Sequence, residues 1–212
     1  CAEAFGTRFD GRHVGTFGDV ATFSFFGNKT ITTGEGGMVV CRTDALHARC
    51  AKLKNQGVSD QRDYWHDEPA YNYRMTNICA AIGVAQLERA EAIVASKRQV
   101  AAWYQEDLAG VPVEVHREAD ARVVHSYWMN SILAPRAPDR DALRQHLAAL
   151  GIETRPTFYP AHLFPMYRAG GLSFPVAEDL GARGINLPSG ARLEMAQVRE
   201  IADGVRSFFG SV

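Results

Sequence analysis

The sequence predicts an α/β protein in two parts, on three observations. First, the apolar run Phe23-Ser24-Phe25-Phe26 leads to Lys29, and Gly34-Glu35-Gly36-Gly37 follows. That pattern reads as a buried strand, a tight turn and a second strand, with the lysine at a strand's end. Second, a helical pattern from Ile78 is apolar nearly all round and turns amphipathic and charged at Glu88. A helix of that kind leaves one core and continues along another surface. Third, the chain after Val111-Pro112 alternates strands and helices in an α+β pattern. The expected division is residues 1–95 and 96–212, joined by a long helix at 77–108.

Taken in order, Asp10-Gly11 between Arg8-Phe9 and Arg12-His13 predicts a small hairpin. Strands follow at 22–26 and 37–41, flanking the lysine turn. Thr43 or Asp44 caps a helix reaching Asn55, with Leu46, Cys50 and Leu53 on one face and Gln56-Gly57 at its end. Residues 58–75 have no steady period and predict a long loop, whose Tyr64, Trp65, Tyr71 and Tyr73 require burial against something. Thr76 or Asn77 caps the long helix, which ends at Gly110. Strands are expected at 124–134 and 152–155, and helices at 139–150, 175–183 and 193–209. The last helix carries Met195, Val198, Ile201, Ala202, Val205 and Phe209 as a packing stripe.

The chain has 212 residues and a formal net charge of −1, which argues against nucleic-acid or membrane-surface binding driven by bulk charge. No apolar run approaches the roughly 18 residues of a membrane span, and no signal peptide is expected. Cys1, Cys41, Cys50 and Cys79 form no CxxC pair and no zinc pattern. They predict reduced thiols on buried faces and a cytoplasmic location. The chain begins at Cys1 rather than Met, so an N-terminally truncated chain is expected.

Only four of the 23 basic residues are lysines, which makes Lys29, within an apolar and Gly-rich stretch, an unusual surface residue. A P-loop is excluded, because Asn28 and Phe23 stand where that loop requires glycine. A desolvated lysine loses part of its preference for the charged form, and its amine becomes a nucleophile. The remaining reading is a lysine that condenses with an aldehyde, with Ser24 five residues earlier as a phosphate donor. Thr32 and Thr33 are further candidates for that role. Glu35 reads as structural, capping the turn or holding Lys29 in register.

The stretch Gly18–Gly37 resembles the cofactor-lysine segment of the DegT/DnrJ/EryC1/StrS sugar aminotransferases. Tyr64-Trp65-His66-Asp67, Tyr71–Asn77, Glu153-Thr154-Arg155-Pro156 and Arg183–Pro188 extend the resemblance over nearly the whole chain. It implies a fold-type I (aspartate aminotransferase-like) enzyme dependent on pyridoxal 5'-phosphate (PLP) and working as a homodimer. In those terms residues 1–95 are the C-terminal remainder of the large PLP-binding domain, and 96–212 are a small C-terminal domain. Lys29 matches the lysine that carries the cofactor and moves the proton, and Ser24 matches the serine on its phosphate. Glu3 matches a position near the ring hydroxyl. The family's ring-nitrogen aspartate falls one residue before Cys1, so the chain alone is expected to lack a complete site and to be inactive. Asn72 and Arg74 match a loop that reaches the partner subunit's cofactor phosphate. His162 matches a position near a nucleotide-sugar substrate, and Arg74 or Arg155 is expected to pair with that anion, each with a structural role as an equal alternative. The presence of lysine rather than histidine at position 29 favours transamination over dehydration. The implied reaction takes an amino group from glutamate to the C4 keto group of a GDP-linked 4-keto-6-deoxymannose. A dTDP- or UDP-linked keto sugar, or a non-catalytic member of the family, remains the alternative. No metal is expected.

Overall fold

Asp10 and Gly11 both adopt left-handed backbone (φ 47° and 75°), which turns β1 (Arg8–Phe9) back onto β2 (Arg12–His13). Two such residues are what a two-residue hairpin of this hand requires. The chain then forms β3 (Val20–Ser24) and β4 (Gly37–Cys41), paired antiparallel from Val20–Cys41 to Ser24–Gly37. Next comes α1 (Asp44–Lys54), whose Thr43 hydroxyl accepts the Leu46 N–H at 3.3 Å. It is followed by α2 (Asn77–Glu88), capped in the same way by Thr76, and α3 (Ala90–Asp107). The remaining elements are β5 (Glu114–Val115), β6 (Val123–Val124), β7 (Asn130–Leu133), α4 (Ala137–Ala149), β8 (Arg155–Pro156), α5 (Pro175–Arg183), β9 (Gly184–Leu187) and α6 (Met195–Gly210). The computed structural model describes residues 1–168 and 171–210; residues 169–170 and 211–212, part of the expected second domain, lie outside the described residues.

The chain forms two compact units, Cys1–Ala95 with Ala119–Trp128, and Ser96–Glu118 with Met129–Val212. The segment 119–128, expected in the second part, therefore belongs to the first. The reason is a long-range pairing: Val123–Val124 pairs with Arg8–Phe9 at the edge of the first hairpin. The expected strand over 124–134 is thus two strands in two units, interrupted where Tyr127 adopts φ 47°. The expected helix at 77–108 is likewise two helices, because Arg89 (φ −107°, ψ 6°) leaves the helical backbone. The expected strand at 152–155 contracts to Arg155–Pro156, and β5 and β9 are short strands without an anticipated pattern.

In the first unit Phe25, Ile31 and Thr33 of the stretch that carries Lys29 are buried, as are Tyr127 and Trp128. The turn is closed by backbone bonds from Phe25 to Gly36 (2.9 Å), Thr33 to Phe25 (2.9 Å) and Lys29 to Phe26 (3.0 Å). Gly37 faces Ser24 so closely that a Cβ there would lie 2.5 Å from the Phe23 carbonyl oxygen. The apolar strand and helix are less buried than expected: Val39 is 48% exposed and Ile78 76%. Tyr64, Trp65, Tyr71 and Tyr73 are exposed as well, and all four cysteines are partly exposed free thiols. Among the described residues, no packed layer covers those faces.

The second unit is a four-stranded antiparallel sheet in the order β5-β7-β9-β8. Its core joins Val100, Tyr104 and Leu108 of α3 and its end to Leu143 and Leu147 of α4, Ile132 and Ile185 of the sheet, and Val198 and Val205 of α6. The expected stripe on the last helix forms part of this core through Val198, Ile201, Ala202 and Val205. Lys97 is buried beside it, 6% exposed, and its ammonium donates to the Ser189 carbonyl at 2.5 Å.

Two outcomes are expected. Gly37→Ala forces Phe23 away from β4 and costs about 1–3 kcal/mol in chemical denaturation. Burial pushes Lys97 from 10.5 down to about 8. Above about pH 8 the unfolded chain keeps a proton that the native state has lost, so stability rises with pH up to about 10. Beyond that, buried Tyr104, whose ionisation burial pushes up, stays protonated in the native state and reverses the trend. A thermal melting series across pH 7–10 shows the rise in the wild-type chain and its loss in Lys97→Met.

Candidate active site

The Lys29 side chain is 13% exposed and its amine lies between two groups of the first unit. The Glu3 carboxylate is 3.7 Å away, and the face of the Trp128 indole is centred 4.0 Å from Nζ. Trp128 itself is 6% exposed, and its Nε1–H donates to the carbonyl of Asn28 at 2.8 Å. The same side chain therefore touches Lys29's amine and the backbone immediately before it.

Trp128 arrives there through the segment that follows β6. The buried hydroxyls of Thr7 and Ser126 are 2.9 Å apart, and the Ser126 N–H donates to Thr7 Oγ1 at 3.1 Å. Tyr127, 4% exposed, then adopts left-handed backbone, a conformation that costs a bulky residue on the order of 1–3 kcal/mol. That local cost aims the next side chain at the lysine turn. Sequence reasoning missed Trp128, because it stands 100 residues from Asn28 inside what reads as a continuous strand.

Ser24 lies at the end of β3, where its Oγ accepts the Phe26 N–H at 3.4 Å and its own O–H remains available to donate. The hydroxyls of Thr32 and Thr33 are committed within the turn, donating to the carbonyls of Phe25 (3.0 Å) and Glu35 (2.7 Å). Their expected role as phosphate donors gives way to this structural one. Glu35 contributes its backbone carbonyl to the turn.

This unit therefore offers an aldehyde-reactive amine, a hydroxyl donor, a carboxylate and an aromatic wall around one turn. That donor set fits a cofactor that carries an aldehyde, a phosphate ester and a planar ring. Among the described residues, no group of three or more His, Cys, Asp or Glu side chains could hold a metal ion, and no helix is long and apolar enough to cross a membrane.

Asn72 and Arg74 lie on an exposed arm rather than beside Lys29. Arg74 donates to Asn55 Oδ1 at 3.1 Å, and Asn72 bridges Asn55. The arm is fastened to α1: Lys52 donates to Val58 O (2.7 Å) and Asp67 Oδ2 (2.6 Å), and Arg49 pairs with Glu68. The Lys52 ammonium holds the Asp67 carboxyl below the usual range. Tyr71 and Tyr73 stack with centroids 4.9 Å apart. The region expected to be a long loop carries no helix or strand, and these contacts tie it down.

His162 and Arg155 belong to the second unit. His162 Nε2 meets Glu178 Oε1 at 2.9 Å, with the Phe174 ring edge-on at 4.8 Å. The Phe174 N–H, more than His162, holds the Glu178 carboxyl below its usual range. Arg155 pairs with Glu153 at 3.2 Å on the surface. A cavity of about 500 Å³ in this unit is walled by Val115, Leu133, Phe158, Pro160 and Leu180, with neither His162 nor Arg155 in its lining.

Residues 1–206 match the model of the DegT/DnrJ/EryC1/StrS aminotransferase family. The chain is 54% identical over 209 residues to GDP-perosamine synthase of Escherichia coli O157:H7, covering 99% of this chain and 57% of that protein. It is 52% identical over 216 residues to GDP-perosamine synthase of Vibrio cholerae, covering 100% of this chain and 59% of the relative. The chain thus spans a little over half the length of these curated relatives. Its structure matches that of the aminotransferase TlmJ from Streptoalloteichus hindustanus with a TM-score of 0.93 at 28% identity, over 100% of this chain and 57% of that one. The fold is that of fold-type I PLP-dependent aminotransferases, and the chain belongs to the DegT/DnrJ/EryC1/StrS aminotransferase family.

Proposed function

We propose that the protein to which this chain belongs is a PLP-dependent aminotransferase. It moves an amino group from glutamate to the C4 keto group of GDP-4-keto-6-deoxymannose, giving GDP-perosamine and 2-oxoglutarate. The observation that carries this reading is the Lys29 amine, held between the Glu3 carboxylate and the Trp128 indole next to the strand that bears Ser24. The two GDP-perosamine synthases, at 54% and 52% identity, support the choice of sugar and nucleotide. Because the chain spans only part of their length, the activity is assigned to the whole protein.

When bound, PLP supplies an aldehyde for covalent attachment and a conjugated ring that takes up an electron pair. Lys29 Nζ is the point of attachment. When not bonded to the cofactor, Nζ would take up the proton that leaves the donor's α-carbon. In the second half of the reaction it returns a proton to C4 of the sugar. Ser24 Oγ would donate to the cofactor's phosphate, and Glu3 would serve the ring hydroxyl. The exposed arm sets Asn72 and Arg74 to serve the phosphate in the partner subunit of a homodimer. Arg155 and His162 meet the anionic sugar nucleotide, where a guanidinium pairs well with a phosphate. The reading includes a cytoplasmic location and partners that are neither membrane nor nucleic acid, which the net charge of −1 supports.

Borohydride reduction of the full-length protein with PLP is expected to leave the pyridoxyl group on Lys29, as peptide mapping reads it. Lys29→Ala should abolish both the label and turnover; a label elsewhere, or none, sinks the aminotransferase reading. Assays with GDP-, dTDP- and UDP-linked keto sugars are expected to give turnover with the GDP-linked 4-keto sugar. Turnover of a dTDP- or UDP-linked substrate alone would replace the perosamine assignment.

A further inference from the structure

We infer that Trp128 is a positioning residue for Lys29, holding its ammonium in place whenever that group carries a proton and is not bonded to the cofactor. The inference rests on Lys29 being the reactive lysine of the proposed reaction. In that reaction the amine is released and must act again from the same place. A lysine side chain has four carbons of rotamer freedom, so a released amine swings into solvent unless something retains it. The indole face attracts an ammonium electrostatically, and here Nζ lies 4.0 Å from the ring centroid with Glu3 at 3.7 Å.

Three further observations show that this contact is built. The indole Nε1–H fixes the Asn28 carbonyl at 2.8 Å, so one side chain grips Lys29 at its amine and at the peptide before it. The preceding residue, Tyr127, is held buried in left-handed backbone at φ 47°. The buried Thr7–Ser126 hydroxyl pair at 2.9 Å anchors the segment against the first unit. The competing explanation is that Trp128 only fills space behind the turn. The two explanations separate on chemistry, because leucine fills space without a π face or an N–H, whereas phenylalanine keeps the π face.

The test uses the full chain free of cofactor, with acetyl N-hydroxysuccinimide as the amine probe and mass spectrometry to map each lysine. Trp128→Leu is expected to speed Lys29 acetylation about tenfold at neutral pH while Lys52 and Lys54 react as before. Trp128→Phe should stay within about threefold of the wild-type rate. Equal rates in the Leu and Phe variants, or no change in either, overturn the inference. In the loaded enzyme, Trp128→Leu should lower kcat about tenfold with KM for the keto sugar unchanged; a rise in KM with kcat intact overturns it. A measurement without any substitution covers the case of a variant that fails to fold. Reductive ¹³C-methylation of the wild-type chain should give Lys29 methyl signals shifted upfield by the indole ring. Signals at the position of exposed lysines overturn the inference. None of the acetylation or methylation outcomes depends on PLP, so they stand apart from the borohydride test of the aminotransferase reading.

Discussion

The closure of the β3–β4 ribbon at the Ser24–Gly37 pair is the constraint on which the lysine site depends. Only glycine permits that approach, since any Cβ at position 37 meets the Phe23 carbonyl oxygen. With the ribbon closed, the backbone bonds between Phe25, Thr33 and Gly36 define the turn, and buried Phe25 and Ile31 anchor it. A buried turn must satisfy its own carbonyls, and Thr32 and Thr33 supply that satisfaction. Their hydroxyls are consumed in building the turn, which leaves Lys29 and Ser24 as the side chains free to do chemistry.

Stability is distributed differently in the two units. The second has a continuous apolar core in which one face of the sheet meets α3, α4 and α6. The first buries fewer large side chains, among them Phe25, Ile31 and Trp128, and leaves Val39, Val40, Ile78 and Val84 exposed. Apolar surface of that extent is characteristic of regions that protein–protein contacts cover, and it supports the proposed homodimer. The arm at 55–75 follows the same logic, because its aromatic residues are exposed while its base is fastened to α1 by Lys52 and Arg49. Rigidity at the base and exposure at the tip suit a segment that acts on another surface.

The second unit's candidate residues are committed locally. His162 and the Phe174 N–H both bond to Glu178 at the start of α5, and Arg155 pairs with Glu153. Such contacts give each residue a structural role on its own, and a substrate role must coexist with it. An arginine paired only on the surface exchanges that partner for a phosphate at little cost, because exposed ion pairs contribute little.

Local chemistry made much of this protein legible in its sequence. Asp10-Gly11 announced a hairpin, Thr43 and Thr76 announced helix starts, and the aromatic run into Gly34–Gly37 announced a strand, a lysine turn and a strand. The family was legible too, since its motifs are short runs of contiguous residues. Tertiary structure decided what contiguous residues cannot encode. It split 124–134 between two units, because a strand's partner is set by distant backbone rather than by its own apolar pattern. It exposed the apolar faces of β4 and α2, because burial depends on what else is present to cover a surface. It also brought Trp128 to Lys29 and to the Asn28 carbonyl 100 residues away in sequence, through the hydroxyl pair at Thr7 and the left-handed Tyr127, neither of which has a periodic signature. The sequence alone identified the lysine; long-range packing chose the groups that surround its amine.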